Sequence, residues 1–234
     1  MSLNPASEIK QQLDALIIQI EALEPRLARR LRDFRSWIGQ KKDGLLTSKP
    51  EILEFLRELI EDCKFWIIIH PLSPSDRIEV YDDIDIPLSQ RYWFDVLFPA
   101  WFQEPDPKSS IWKKKMMAGD LQNSDDDTIA KLAYGISSQG GNAIWRYILD
   151  LSMATDLLIA GSQPEALCVQ LTSVQGESLA DKSRYWRKTL KYWNIPRGLL
   201  LSYSLTNANY QDLARVTLEY GDTLAPDRYT VEER

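Results

Sequence analysis

The stretch Thr155–Thr172, TDLLIAGSQPEALCVQLT, decides how this chain is read. Thr155–Ala160 is an apolar run of strand length, Gly161-Ser162-Gln163-Pro164 is a turn, and Ala166–Thr172 is a second run. Strand side chains alternate, so Val169 and Leu171 fall on one face and Gln170 and Thr172 on the other. Downstream, Ser178–Asn194 reads as a helix, Gly198–Tyr203 as a third strand and Asp212–Glu219 as a final helix. The segments 155–160, 166–173 and 198–205 are therefore expected to share one sheet with helices packed against it.

Upstream the pattern is helical. Ile9, Leu13, Leu16, Ile20, Leu23, Leu27, Leu31, Phe34 and Ile38 recur at steps of three and four, close to heptad spacing. Pro25 interrupts the stripe, because proline lacks an amide donor and clashes with the preceding turn, so a kink or two abutting helices is expected there. Arg26, Arg29, Arg30, Arg32 and Arg35 crowd the second half, as a solvated face or, alternatively, a nucleic-acid arm. Such a stripe calls for cover, from the helix at Ile52–Ile60 or from a second copy of the chain, so a homo-oligomer through the N-terminal helices is one expected partnership. Lys64–Ile69 is rich in strand formers and reads as a buried strand, with Arg77–Tyr81 as a second. Residues 82–127 read as irregular aromatic packing followed by an exposed loop, and Asp125-Asp126-Asp127 as the acidic start of a helix. Gly135–Gly141 reads as a flexible stretch and Asn142–Leu149 as a helix. The fold class is α/β: a helical region at 1–62, then a domain at 63–234 with a mixed sheet flanked by helices.

Composition bounds the function. The chain has 234 residues, 44% hydrophobic and 26% charged, which excludes a disordered or disulfide-framework protein. A net charge of −6 means that any nucleic-acid surface must be a local patch. Cys63 and Cys168 show no metal spacing and each sits in an apolar run, as buried thiols do. His70 stands alone and reads as structural. No basic start with an apolar stretch opens the chain, and no run approaches a membrane span, so no membrane partner and a reducing, cytoplasmic setting are expected.

The order helix, strand, strand, helix, strand over residues 128–206, with Asp156 opening one strand, resembles the core of the PD-(D/E)xK, restriction-endonuclease-like nuclease superfamily. In that family an aspartate on one strand and E-x-K on the next converge on a divalent metal, and the lysine helps activate the attacking water. The resemblance assigns Asp156 to the catalytic aspartate and metal ligand, Gln170 to the second acid fourteen residues on, and Thr172 to the lysine. Asn142 takes the place of a helix glutamate. Only Asp156 keeps its charge, so the resemblance implies a degenerate member with impaired catalysis. Mg²⁺ is its cofactor only if the nuclease reading holds.

The helix after the second strand gives a separate clue. Arg184, Arg187, Lys188 and Lys191 fall at i, i+3, i+4 and i+7 on one face, with Leu179, Trp186, Leu190 and Trp193 on a neighbouring one. Residues 177–197 hold six bases and two acids, a local charge of +4, and Tyr185 and Tyr192 border the basic face. The expected function is nucleic-acid association through this helix. One alternative is an active metal-dependent nuclease in which Lys182 or Glu177 has migrated into the site. The other is a helical assembly or docking protein with no nucleic-acid role.

Overall fold

The computed structural model describes residues 5–39, 41–120, 126–163, 165–204 and 208–234. The chain begins with α1 (Pro5–Glu21), α2 (Pro25–Gly39), α3 (Asp43–Thr47), α4 (Pro50–Ile69) and α5 (Pro74–Asp83). Next come α6 (Leu88–Tyr92), a π-helical turn (Trp93–Leu97), α7 (Phe98–Gln103), α8 (Ser109–Ala118) and α9 (Asp126–Ser138). Then follow β1 (Asn142–Ile144), α10 (Tyr147–Met153), β2 (Leu157–Ala160), β3 (Leu167–Thr172), α11 (Glu177–Tyr192), β4 (Arg197–Ser202), α12 (Tyr210–Thr223) and β5 (Arg228–Glu233). The chain divides into two compact units, residues 1–84 with 102–122, and residues 85–101 with 123–234.

The first unit is helical. Pro25 opens α2 instead of kinking one long helix, since a first-turn residue needs no intrahelical donor. Ala6, Ile9, Leu13, Leu16 and Ile20 of α1 and Leu27, Leu31, Phe34 and Ile38 of α2 are all buried within the chain. Apart from Leu23, which is 43% exposed, the stripe that motivated a homo-oligomer is thus covered within the chain. Arg35 forks onto Asp14 at 2.9 and 3.0 Å and fixes how α2 lies on α1. Phe34, Phe55 and Trp112 join α2, α4 and α8 in an aromatic cluster with ring centroids 5.2–5.8 Å apart.

Several expected elements differ here. Lys64–Ile69 is the last turns of α4: Cys63, Trp66 and Ile69 continue its buried side while Ile68 is 60% exposed, a helical spacing that β-propensity obscured. Arg77–Tyr81 lies in α5, whose start is fixed by the Ser73 hydroxyl accepting from the Asp76 amide, with Pro74 next. A boundary after residue 62 falls inside α4, and the helical unit runs on to Ile84 and takes in α8. The aromatic-rich region is helical over much of its length. Of the acidic run, Asp126 and Asp127 open α9, and Asp125 lies outside the described residues.

The second unit is α/β, with a five-stranded mixed sheet among the described residues in the order β1-β2-β3-β4-β5. β2 runs antiparallel to β1 and β3, and β3, β4 and β5 are parallel. The three expected strands do share this sheet, and Leu205, at the end of the third, lies outside the described residues. Leu157, Ile159, Val169, Leu171, Leu199 and Leu201 form one core with Leu132 and Ile136 of α9 and Leu213 and Ala214 of α12. α11 packs on the opposite face, where a Cβ on Gly198 would press on Leu190 and sit 2.9 Å from the Trp186 ring. The steps from β3 to β4 to β5 advance in one direction with helices on opposite faces, so the two crossovers have opposite hands, and one departs from the right-handed rule.

Two further departures belong to this unit. The expected helix at Asn142–Leu149 splits into β1, which pairs with β2 along the sheet edge, and α10. The start of the expected flexible stretch, from Gly135 to Ser138, belongs to α9, and the missing side chain at Gly135 lets α9 approach Ala214 and the Tyr210 carbonyl of α12.

Candidate functional site

The antiparallel register places Leu157 opposite Val169, so Asp156, just before β2, comes beside Gln170 of β3. The Asp156 amide donates to the Val169 carbonyl at 2.8 Å and holds the residue in the ladder. One carboxylate oxygen, Oδ2, accepts from Gln170 Nε2 and from the Leu171 amide, both at 2.6 Å. Asp156 is 6% exposed, so these donors replace the hydration a buried carboxylate would lose.

Thr172 lies two residues beyond Gln170, on the same face and level with Ser202 of β4. Its hydroxyl accepts from the Val174 amide at 3.1 Å, and the Ser202 hydroxyl donates to the Val174 carbonyl at 2.8 Å. These bonds shape the exit from β3 toward α11. Asp156 and Gln170 are therefore in direct contact, and Thr172 shares their strand face with its hydroxyl engaged in the loop. Asn142 is not part of the group. It pairs with Ala160 at the far end of β2, and its side-chain oxygen accepts from the Ser89 amide at 2.9 Å.

The donor set does not fit Mg²⁺. A carboxylate oxygen can only accept, so Gln170 must turn its NH₂ toward Asp156, into the place a bridging cation would need. One carboxylate, an amide donor and a hydroxyl fall short of the oxygen cage of a hard dication. Among the described residues no group of three His, Cys, Asp or Glu could hold a metal ion. The arrangement acts as a hydrogen-bonded staple between β2 and β3.

α11 presents its expected faces. Leu179, Ser183, Trp186 and Leu190 are buried, while Arg184, Arg187, Lys188 and Lys191 are exposed. Tyr185 is 71% and Tyr192 41% exposed beside them. Arg184 meets Asp181 one turn earlier at 3.1 Å, and Arg187 Nε donates to the Ser183 hydroxyl at 3.2 Å. Both contacts lie along the helix itself, and such surface pairs contribute little to stability. Lys182 is half-buried and Glu177 exposed on the first turns of the same helix.

Sequence reasoning missed Arg197. Its guanidinium, 3% exposed at the start of β4, donates to the carbonyls of Glu165, at 2.6 Å, and of Tyr220 and Gly221. The last two belong to the C-terminal turn of α12, where the helix dipole favours a cation. Nearby, burial pushes the Tyr92 phenol well above its ordinary range, with Cys168 and Glu165 adding to the rise and Arg197 opposing it. His70 is exposed and stacked on Trp66 with centroids 4.0 Å apart, a structural placement. Among the described residues no helix is long and apolar enough to cross a membrane. Comparison with protein-family models, with curated proteins and with solved structures gave no match.

Proposed function

We propose that the chain is a nucleic-acid-associated protein whose second unit is a degenerate, restriction-endonuclease-like core with impaired catalysis. The observation that carries this reading is the outward side of α11, where four cations and two exposed tyrosines stand together. Guanidinium and ammonium groups neutralise phosphates, and tyrosine rings offer stacking surfaces to unpaired bases. The contact between Asp156 and Gln170 supports the nuclease-like core, because it joins the two strand positions that the resemblance brings together. It also supports the loss of catalysis, because an amide now satisfies the carboxylate.

The test is binding of the full chain to mixed DNA and RNA oligonucleotides across a salt series. Wild type should bind at low salt with a steep negative slope of log affinity on log salt. A variant with Arg184, Arg187, Lys188 and Lys191 all changed to alanine should flatten that slope by about one unit per lost phosphate contact. The loss should be similar for all sequences, since phosphate contacts position a protein without reading bases. Incubation with Mg²⁺ or Mn²⁺ should give weak or no cleavage. Absent binding, or an unchanged slope, would favour the docking reading, and robust cleavage lost in Asp156→Ala would favour the active nuclease.

A further inference from the structure

We infer that the first unit carries an anion-binding cleft, separate from the face of α11, that takes a compact phosphate-bearing ligand. Arg26, Arg29 and Arg30 stand at i, i+3 and i+4 on α2 and line a cleft of about 390 Å³ whose other wall runs from Phe102 to Pro105. That volume lies within the roughly 300–1,000 Å³ of small-molecule sites.

The arginines of α2 divide by what they touch. Arg32 pairs with Glu21 and Arg35 with Asp14, so these two hold α2 to α1. Arg30 donates to the Glu104 carbonyl, which braces one wall of the cleft against the other. Among the described residues the Arg26 and Arg29 guanidinium groups meet no carboxylate, although Asp33 and Glu104 also line the cleft. Three guanidinium groups against two carboxylates leave the lining with an excess positive charge. Lys113 stands near Arg30 and Asp33 of the lining, with its ammonium 4.4 Å from the centre of the Phe34 ring. Burial lowers its pKa, and Arg30 lowers it further despite the nearby carboxylates Asp33 and Asp106.

The lining also bears on the class of ligand. Phe102 is 3% exposed and offers almost no ring face to a base, so recognition here is by charge. Planar guanidinium forks match the paired oxygens of phosphate. A diphosphate group satisfies both conditions, whether as a free phosphate compound or as the phosphorylated end of a nucleic acid.

The experiment is calorimetric titration of inorganic pyrophosphate into the full chain at low salt, with chloride at matched ionic strength as the control. Wild type should show saturable binding. Arg26→Ala/Arg29→Ala should bind about tenfold or more weakly, the loss of roughly one charge-assisted contact. Both side chains are exposed, so this variant should melt as wild type does. Arg187→Ala/Lys188→Ala on α11 should bind pyrophosphate as wild type does, which separates this cleft from the proposed nucleic-acid face. Competition by a 5′-phosphorylated oligonucleotide but not by its 5′-hydroxyl counterpart would identify a nucleic-acid end as the source. Competition by neither would identify a free phosphate compound. No saturable binding by wild type, wild-type affinity in Arg26→Ala/Arg29→Ala, or loss confined to the α11 variant would each overturn the inference.

Discussion

Gln170 and Asp156 are a carboxylate and an amide 2.6 Å apart in a nearly closed site, and one atom decides what they do. Gln170→Glu exchanges the NH₂ for a second oxygen. Two carboxylates at that distance cannot both ionise without a cation between them, so one takes up a proton and its pKa rises. The folded state then holds a proton that the unfolded state releases near pH 4, and stability falls as pH rises through the range between the unfolded and raised folded values. Gln170→Glu should therefore lose about 1–3 kcal/mol at neutral pH, the range for an unsatisfied buried polar group, and regain it in acid. Mg²⁺ or Mn²⁺ should also restore it, because binding only to the folded state stabilises that state. Thermal denaturation at pH 4 and pH 7, with and without the metals, reads both effects. A variant as stable as wild type at pH 7 without metal would mean that the two side chains do not share a site.

Among the elements, α11 is seated by what β4 lacks. The absent side chain at Gly198 leaves room for Trp186 and Leu190, and the basic face is turned outward by that packing. Gly198→Ala would push a methyl into the Trp186 ring, and overpacking of this kind costs about 1–3 kcal/mol. Chemical denaturation should show that loss, with altered tryptophan fluorescence, and unchanged stability would show that α11 is not held by this contact. The two faces of α11 were legible in the sequence because a surface helix must separate apolar from charged residues. β2, β3 and β4 were legible because each is an apolar run closed by turn residues. Lys64–Ile69 was not, since the same residues are good strand formers and also complete the buried side of α4. β5, Arg-Tyr-Thr-Val-Glu-Glu, has only Tyr229 and Val231 as alternating apolar positions, too short a run to mark a strand, and its pairing comes from β4 alongside it. Asp156 and Gln170, fourteen residues apart, meet through the antiparallel register of β2 and β3. Arg197 left no such trace, because its partners are backbone carbonyls, which every residue supplies.

Across the whole molecule, each unit has its own core and one thiol inside it. Cys63 lies in α4 of the first unit and Cys168 in β3 of the second, both fully buried and both reduced. Burial pushes the Cys63 thiol well above its ordinary value, and the neighbouring Asp62 charge adds to the rise. Burial pushes Cys168 up to about 12, against a hydrogen bond from Thr155 that lowers it. The thiolate is the reactive form, so neither residue should alkylate in the native protein, and each should label only when its own unit opens. Mass-spectrometric labelling through a denaturant series would then follow the helical unit at Cys63 and the sheet unit at Cys168. The same thiols set an alkaline limit. An unfolded cysteine ionises near pH 8.5, whereas folded Cys168 keeps its proton to about pH 12. Within that window the unfolded state binds fewer protons than the folded one, so stability falls as pH rises, by up to about 1.4 kcal/mol per pH unit for each thiol. Below the window the contribution is constant. Cys168→Ala should therefore show a shallower decline in stability between pH 9 and pH 11 than wild type, measured by urea denaturation. Parallel declines in the two proteins, or labelling of Cys168 in native buffer, would mean that water reaches this part of the sheet.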